Sequence, residues 1–107
     1  MTGYMFGKGV YFADMVTKSA NYCFTNPSNN TGLMMLCEVA LGETNDKLYA
    51  DYYANLLPPG KMSTKGCGKN APSGGKNLGD IFVPCGKGVN TNIPSVILSF
   101  NLELTSI

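Results

Sequence analysis

Between Lys61 and Gly88 the chain carries seven glycines and two prolines, and this density of breakers limits the fold more than any other feature. Glycine gives up the most backbone freedom on ordering, and proline cannot donate to a hydrogen-bonded ladder. The stretch is therefore expected to be mostly loop, with one short strand around Ile81-Phe82-Val83. The whole chain has 107 residues, enough for one domain or part of one but too few to split the apolar residues between two cores. Its 44% hydrophobic and 14% charged residues predict a packed core rather than charge-driven disorder.

Before the glycine-rich stretch the pattern is more regular. Gly3, Gly7 and Gly9 punctuate Tyr4-Met5-Phe6 and Val10-Tyr11-Phe12, which reads as a loop turning into a short strand. Asp14 then suits a helix N-cap, and the residues from Met15 to about Tyr22, free of Gly and Pro, predict a helix. Pro27 to Gly32 make a polar loop. Leu33 to Leu41 run nearly all apolar and stop at Gly42, which predicts a central strand buried on both faces. Asp46 to Leu57 has no clean period and reads as a short helix or irregular segment closed by Pro58-Pro59-Gly60. At the end, Leu98, Phe100, Leu102 and Leu104 alternate with polar residues, as in a strand with one wet face. The expected class is α+β, mainly antiparallel strands with one short helix and long loops.

Several chemistries are excluded by the residues themselves. A net charge of +1 without a lysine stripe gives no field for direct nucleic-acid binding. The chain has no histidine, so Ser-His and Cys-His nucleophile pairs are ruled out. Cys23, Cys37, Cys67 and Cys85 contain no C-x2-C pair, so a zinc site is not expected, and free, mostly buried thiols of an intracellular protein are. No Gly-Lys pair completes a P-loop. Gly66-Cys67-Gly68-Lys69-Asn70-Ala71 fits a loose dinucleotide pattern, but Pro72-Ser73-Gly74-Gly75 prevents the helix that pattern needs. Neither a secretion signal nor a membrane span is apparent.

What remains is a small constellation. Ser19 and Tyr22, three apart on the expected helix, share a face and offer a hydroxyl and a flat ring. Tyr11, on the strand feeding that helix, could close a narrow slot for a small aromatic amide. By composition and spacing alone, two tyrosines and a serine on a partly buried face are more often ordinary packing. The run Thr2-Gly3-Tyr4-Met5-Phe6-Gly7-Lys8-Gly9-Val10-Tyr11-Phe12-Ala13-Asp14-Met15, with Lys18-Ser19-Ala20-Asn21-Tyr22-Cys23, resembles the signature of poly(ADP-ribose) polymerase catalytic domains. The similarity continues in Glu38-Val39-Ala40-Leu41-Gly42, Ser63-Thr64-Lys65-Gly66 and Val83-Pro84, and is closest to members with DNA-dependent activity.

That resemblance implies an incomplete ADP-ribosyltransferase fold over residues 2–88, followed by a divergent tail, 89–107, ending in one strand. It implies that Tyr22 stacks on the nicotinamide of NAD+, that Ser19 bonds its carboxamide, and that Tyr11 is the middle member of the family's His-Tyr-Glu triad. Lys18 lies near the reacting centre by the same analogy, Ala13 lines the pocket, and Tyr4 belongs to the loop from Gly3 to Lys8 over the donor. NAD+ is then substrate rather than cofactor, no metal is needed, and ADP-ribose passes to protein acceptors with release of nicotinamide. An intracellular, nuclear protein that meets DNA only through other domains, with no membrane partner, is implied as well. The triad's histidine has no counterpart in these residues, and Glu103 is one residue out of step with the family's glutamate, which would reverse its face in a strand. The expectation is a fragment of the transferase, inactive alone and poorly soluble, or alternatively a truncated non-catalytic binding or decoy module.

Overall fold

A computed structural model describes residues 5–94 and the backbone of 101–105. In chain order its elements are β1 (Gly9–Phe12), α1 (Val16–Ala20), β2 (Thr44–Lys47), β3 (Ser63–Gly66), β4 (Asn70–Leu78), β5 (Ile81–Asn90) and β6 (Asn101–Thr105). One sheet has the order β1-β6-β3-β2, and β4 and β5 form a separate two-stranded ribbon. β6 pairs antiparallel with both β1 and β3, whereas β2 and β3 run parallel. A parallel pair needs a long crossover, which the irregular segment from Leu48 to Met62 supplies. The α+β class, mostly strands with one short helix, follows directly.

Register explains where the core sits. Tyr11 of β1 lies opposite Glu103 of β6, which lies opposite Thr64 of β3; Phe12, Leu102 and Lys65 form the next row. Directly paired residues share a face, so Tyr11 and Thr64 point to one side and Phe12 and Lys65 to the other. Thr64 is fully buried and its hydroxyl donates to the Ala54 carbonyl at 3.4 Å. Phe6 and Ala54 are buried beside it, with Tyr11 packed against them. The glycine loop is held down from both ends. Asp51 N–H donates to Met5 O at 2.8 Å, and Gly7 takes φ +86°, where a β-carbon would lie 2.4 Å from Asn55 Oδ1. Only glycine fits there.

This core is small for the chain. A compact monomer of 11.4 kDa exposes about 5,800 Å2, whereas this one exposes 7753 Å2. The radius of gyration, 14.4 Å, likewise exceeds the about 13 Å of a compact domain this long. Among the described residues, two exposed segments contribute to the excess.

The first is the apolar run from Leu33 to Leu41, which corrects the expectation of a buried central strand. No regular structure forms there, and Leu33, Met35 and Leu36 are 88%, 87% and 99% exposed. Apolar composition alone does not make a strand, because a strand needs neighbours to satisfy its backbone and cover its faces. Among the described residues no strand pairs with this run. Its two ends are anchored, by the Cys23 thiol donating to Leu33 O at 3.5 Å and the Ser63 hydroxyl donating to Leu41 O at 2.9 Å.

The second is the β4–β5 ribbon, which corrects the expectation of mostly loop from Lys61 to Gly88; β3 also falls within that span. Leu78 and Ile81 flank a two-residue turn in which Gly79 takes φ +64°. The Phe82 ring crosses the strand and covers Gly75, whose missing β-carbon would sit 2.2 Å from its Cζ. A ring over a cross-strand glycine restores the packing that glycine lacks. Each strand of the ribbon also has an outer edge, where a proline such as Pro72 or Pro84 breaks no ladder bond. β5 runs through Gly88 and Val89 without a break, so the expected junction between residues 88 and 89 falls inside one strand.

Smaller corrections concern the helix and the segments around it. α1 is five residues, shorter than Met15 to Tyr22, and its N-cap is Met15 without a side-chain bond, so Asp14 does not cap it. The β-branched Val16 and Thr17 at its start weaken helix formation. Asp46 to Leu57, read as a short helix or irregular, splits between the end of β2 and a series of turns. The final strand is present as β6 from Asn101, while Leu98 and Phe100 lie outside the described residues. All four cysteines are free thiols, but only Cys67 is buried and Cys37 is exposed, which corrects the expectation of mostly buried thiols.

Candidate functional site

The end of β1 and the first turns after it form one concave unit. Tyr11, Phe12, Ala13, Lys18, Ser19 and Tyr22 line a cleft of about 330 Å3, within the size range of small-molecule sites. Five of these six residues are those singled out from the sequence; the sixth, Phe12, adds a second apolar wall beside Tyr11. Tyr4 lies outside the described residues. A larger concavity of about 410 Å3 runs along Asp46 to Asp51, but it is lined by consecutive residues of one surface stretch. Convergence of a strand, a turn and a helix, as in the Tyr11 cleft, is the stronger mark of a built site.

The short helix still sets the intended spacing. Beyond Ala20 the chain tightens rather than opens, with Tyr22 N–H donating to Ser19 O at 3.0 Å and Cys23 N–H to Ala20 O at 3.1 Å. These i to i+3 bonds keep Ser19 and Tyr22 on one side of the chain. Phe24 then takes φ 53° and ends the turn. Ser19 and Lys18 are half-buried, while the Tyr22 ring is 68% exposed at the cleft's lip. An exposed ring beside a half-buried hydroxyl and ammonium presents a flat apolar face with polar groups at its edge.

Tyr11 does something the sequence did not reveal. Its phenol donates to Gly7 O at 2.5 Å and accepts from Phe6 N–H at 3.2 Å, so the hydroxyl fastens the glycine loop to β1 while the ring lines the cleft. Glu103 sits at the register position opposite Tyr11 and Thr64, so by backbone register it belongs to the Tyr11 face of the sheet.

Asp14, between β1 and α1, is the electrostatic irregularity of this region. Its Oδ1 is buried without a hydrogen-bond partner. Burial raises its pKa, opposed by a hydrogen bond from its own backbone and by the charge of Lys65. Nothing in the sequence separated this role from a helix cap, since both call for an aspartate after a strand. Among the described residues no group of three or more His, Cys, Asp or Glu side chains could hold a metal, and no helix is long and apolar enough to cross a membrane. The loose dinucleotide pattern at Gly66 follows β3 but leads into β4, a strand, so the helix N-terminus that would hold a pyrophosphate is not there.

Comparison with known proteins finds relatives of the chain that share one name. The chain is 57% identical over 104 residues to poly [ADP-ribose] polymerase 2 of Arabidopsis thaliana, covering 94% of this chain and 16% of the relative. It is 55% identical over 95 residues to poly [ADP-ribose] polymerase 2 of Homo sapiens, covering 87% and 16%. Poly [ADP-ribose] polymerase 1 of Danio rerio is 50% identical over 103 residues, covering 94% and 10%. The chain thus spans about a sixth or less of the curated relatives it matches. The family profile for the poly(ADP-ribose) polymerase catalytic domain matches residues 1–101, nearly the whole chain, and the chain belongs to that family.

Proposed function

We propose that this chain is part of an NAD+-dependent ADP-ribosyltransferase and supplies the wall that holds the nicotinamide end of NAD+. The observation that carries the reading is the single cleft lined by Tyr11, Ala13, Lys18, Ser19 and Tyr22. The Tyr22 ring stacks on the pyridine ring, and the Ser19 hydroxyl bonds the carboxamide. As the bond between nicotinamide and ribose breaks, positive charge moves from the pyridinium onto the ribose and nicotinamide leaves neutral. A ring and a hydroxyl that bind the departing group while orienting it lower the barrier by fixing geometry. Lys18 stands at the same wall, where its ammonium can pair with a donor phosphate. Tyr11 keeps the glycine loop in place over the cleft through its bonds to Gly7 and Phe6. ADP-ribose then passes to a protein acceptor. No metal takes part in this scheme.

The family resemblance supports the finer assignment of residues 2–88 to an ADP-ribosyltransferase fold, and a nuclear protein that engages DNA through other domains. The 107 residues hold no histidine, so the first member of the triad has no counterpart among them. That favours a second reading for the chain standing alone, a binding module without turnover. One ring and one hydrogen bond contribute roughly 1 to 3 kcal/mol together, whereas micromolar affinity requires about 8 kcal/mol.

The test grafts residues 2–88 into the matching segment of the full-length Arabidopsis polymerase 2 and follows transfer of labelled ADP-ribose. The graft is expected to retain activity, and Tyr22→Ala in it to lose roughly 2- to 13-fold in kcat/KM, the range of the lost stacking energy. The isolated 107-residue chain is expected to transfer nothing. A graft indifferent to Tyr22→Ala would remove the nicotinamide assignment. Labelled product from the isolated chain that disappears on Tyr22→Ala would overturn the inactivity and bring Glu103 forward as the missing carboxylate.

A further inference from the structure

Helix α1 has little in its own sequence to hold its start. It is five residues long, opens on the β-branched Val16 and Thr17, has no acidic residue in its first turn, and its N-cap, Met15, makes no side-chain cap bond. Met15 is extended, at φ −113° and ψ 125°, and its carbonyl accepts from the Lys18 N–H at 3.0 Å and the Ser19 N–H at 3.4 Å. Two residues of the cleft wall, Lys18 and Ser19, therefore take their place from where Met15 sits.

What fixes Met15 lies on the ribbon. Its half-buried side chain reaches across to β5 and seats on Gly88, where a β-carbon would lie 2.8 Å from Met15 Cε and 3.9 Å from Met15 Sδ. Apart from the chain neighbours of Gly88, that β-carbon would meet no other residue within 4 Å. Gly88 is not at positive φ, so the close approach of Met15, and not backbone strain, is what a side chain there would disturb. Shortly after Gly88, the Thr91 N–H donates to Lys69 O at 2.8 Å and the Thr91 hydroxyl donates to Gly68 O at 2.8 Å. Gly68 and Lys69 follow β3, which carries the buried Ser63 and Thr64. The seat of Met15 is thus tied to the buried part of the sheet and not to the exposed tip of the ribbon.

We infer that Met15 is a positioning residue for the nicotinamide wall, its thioether arm on Gly88 of β5 holding the start of α1 so that Lys18 and Ser19 line the cleft. The inference rests on the reading of that cleft as the nicotinamide site. An unbranched thioether suits the task because it conforms to an irregular surface, and a strand glycine is what allows so close an approach to the backbone.

The experiment has a structural arm and a kinetic one. In the isotope-labelled 107-residue chain, a nuclear Overhauser contact between the Met15 methyl and the Gly88 α-protons is expected, and its absence overturns the inference. The kinetic arm uses a graft of residues 2–94, so that Thr91 comes with Gly88, in the full-length Arabidopsis polymerase 2, and measures kcat and KM for NAD+ together with the inhibition constant of nicotinamide. Met15→Ala removes the arm, and Gly88→Val covers its seat. Each is expected to raise KM and the nicotinamide constant together by roughly 3- to 10-fold, the size of a lost helix cap, with kcat held within about twofold. Because both remove one contact, the double variant should lose about as much as either single one. Gly74→Ala, on the same ribbon at a position where a β-carbon meets nothing within 4 Å, should change neither constant.

A merely weakened fold would lower kcat through the fraction of active enzyme and leave both constants alone, and that pattern overturns the inference. So do losses that multiply in the double variant, or an equal effect of Gly74→Ala. Tyr22→Ala in the same graft separates the two readings. If it raises the nicotinamide constant while Met15→Ala and Gly88→Val do not, the positioning role alone fails; if it has no effect, the nicotinamide wall fails and this inference with it. Should one of the two variants fail to fold, the other decides.

Discussion

Replacing Tyr11 by phenylalanine removes one oxygen and nothing else, so it isolates what the phenol does. That oxygen donates to Gly7 O at 2.5 Å and accepts from Phe6 N–H at 3.2 Å. Each net hydrogen bond is worth about 0.5–1.5 kcal/mol, and a buried group left unsatisfied costs about 1–3 kcal/mol. Phe6 and Gly7 are both buried, so neither the amide nor the carbonyl has ready access to replacement water. A loss of about 2 kcal/mol results. For a chain this long that corresponds to a fall in Tm of about 8 °C, at about 4 °C per kcal/mol. Urea denaturation should show the midpoint falling with an unchanged slope, because the surface exposed on unfolding is the same. Amide exchange at Phe6 should speed up while exchange in β3 changes less. A midpoint shift worth under about 0.5 kcal/mol, below the least a single hydrogen bond contributes, would refute the claim that this phenol fastens the glycine loop.

Two further outcomes follow from burial of charge. Asp14 has its pKa raised, mainly by burial, so the folded state holds its proton to higher pH than the unfolded state does. Stability then falls as pH rises from the unfolded value through the folded one, and the ionised side chain is a net burden at neutral pH. Asp14→Asn is expected to raise the urea midpoint at pH 7 and to have no such benefit below the ordinary aspartate range; a lower midpoint at pH 7 would contradict this. The Cys67 thiol is pushed up by burial and by the charge of Asp46, opposed by Lys65 and a backbone bond with Lys47. Since the thiolate is the reactive form, a disulfide reagent at mildly alkaline pH should modify Cys37 early and Cys67 last, read by mass spectrometry of digests, and early labelling of Cys67 would count against its burial.

The parts of the fold legible in the sequence are those set by short-range chemistry. Glycines around aromatic residues marked the turn into β1, freedom from Gly and Pro marked α1, and alternation marked β6. The cleft followed because Tyr11, Ser19 and Tyr22 belong to consecutive elements, so their nearness requires no long-range pairing. Leu33 to Leu41 failed for the opposite reason: whether an apolar run becomes a strand is decided by distant neighbours. The β4–β5 ribbon was hidden by Gly75 and Pro84, which lower strand propensity, yet Gly79-Asp80 between Leu78 and Ile81 is a hairpin signal that could have found it. β2 offered no signal at all, since Thr44-Asn45-Asp46-Lys47 is poor in strand formers and extends only because β3 lies beside it.

The most direct test of the nicotinamide wall is a titration of the isotope-labelled 107-residue chain with nicotinamide, observed by NMR. With roughly 1–3 kcal/mol from stacking and one hydrogen bond, half-saturation falls at roughly 6–200 mM. The resonances that move should be those of Tyr11, Ala13, Ser19 and Tyr22, and the response should vanish in Tyr22→Ala. Shifts confined to Asp46 through Asp51, or a response that Tyr22→Ala leaves intact, would show that the cleft beside α1 is not the nicotinamide site.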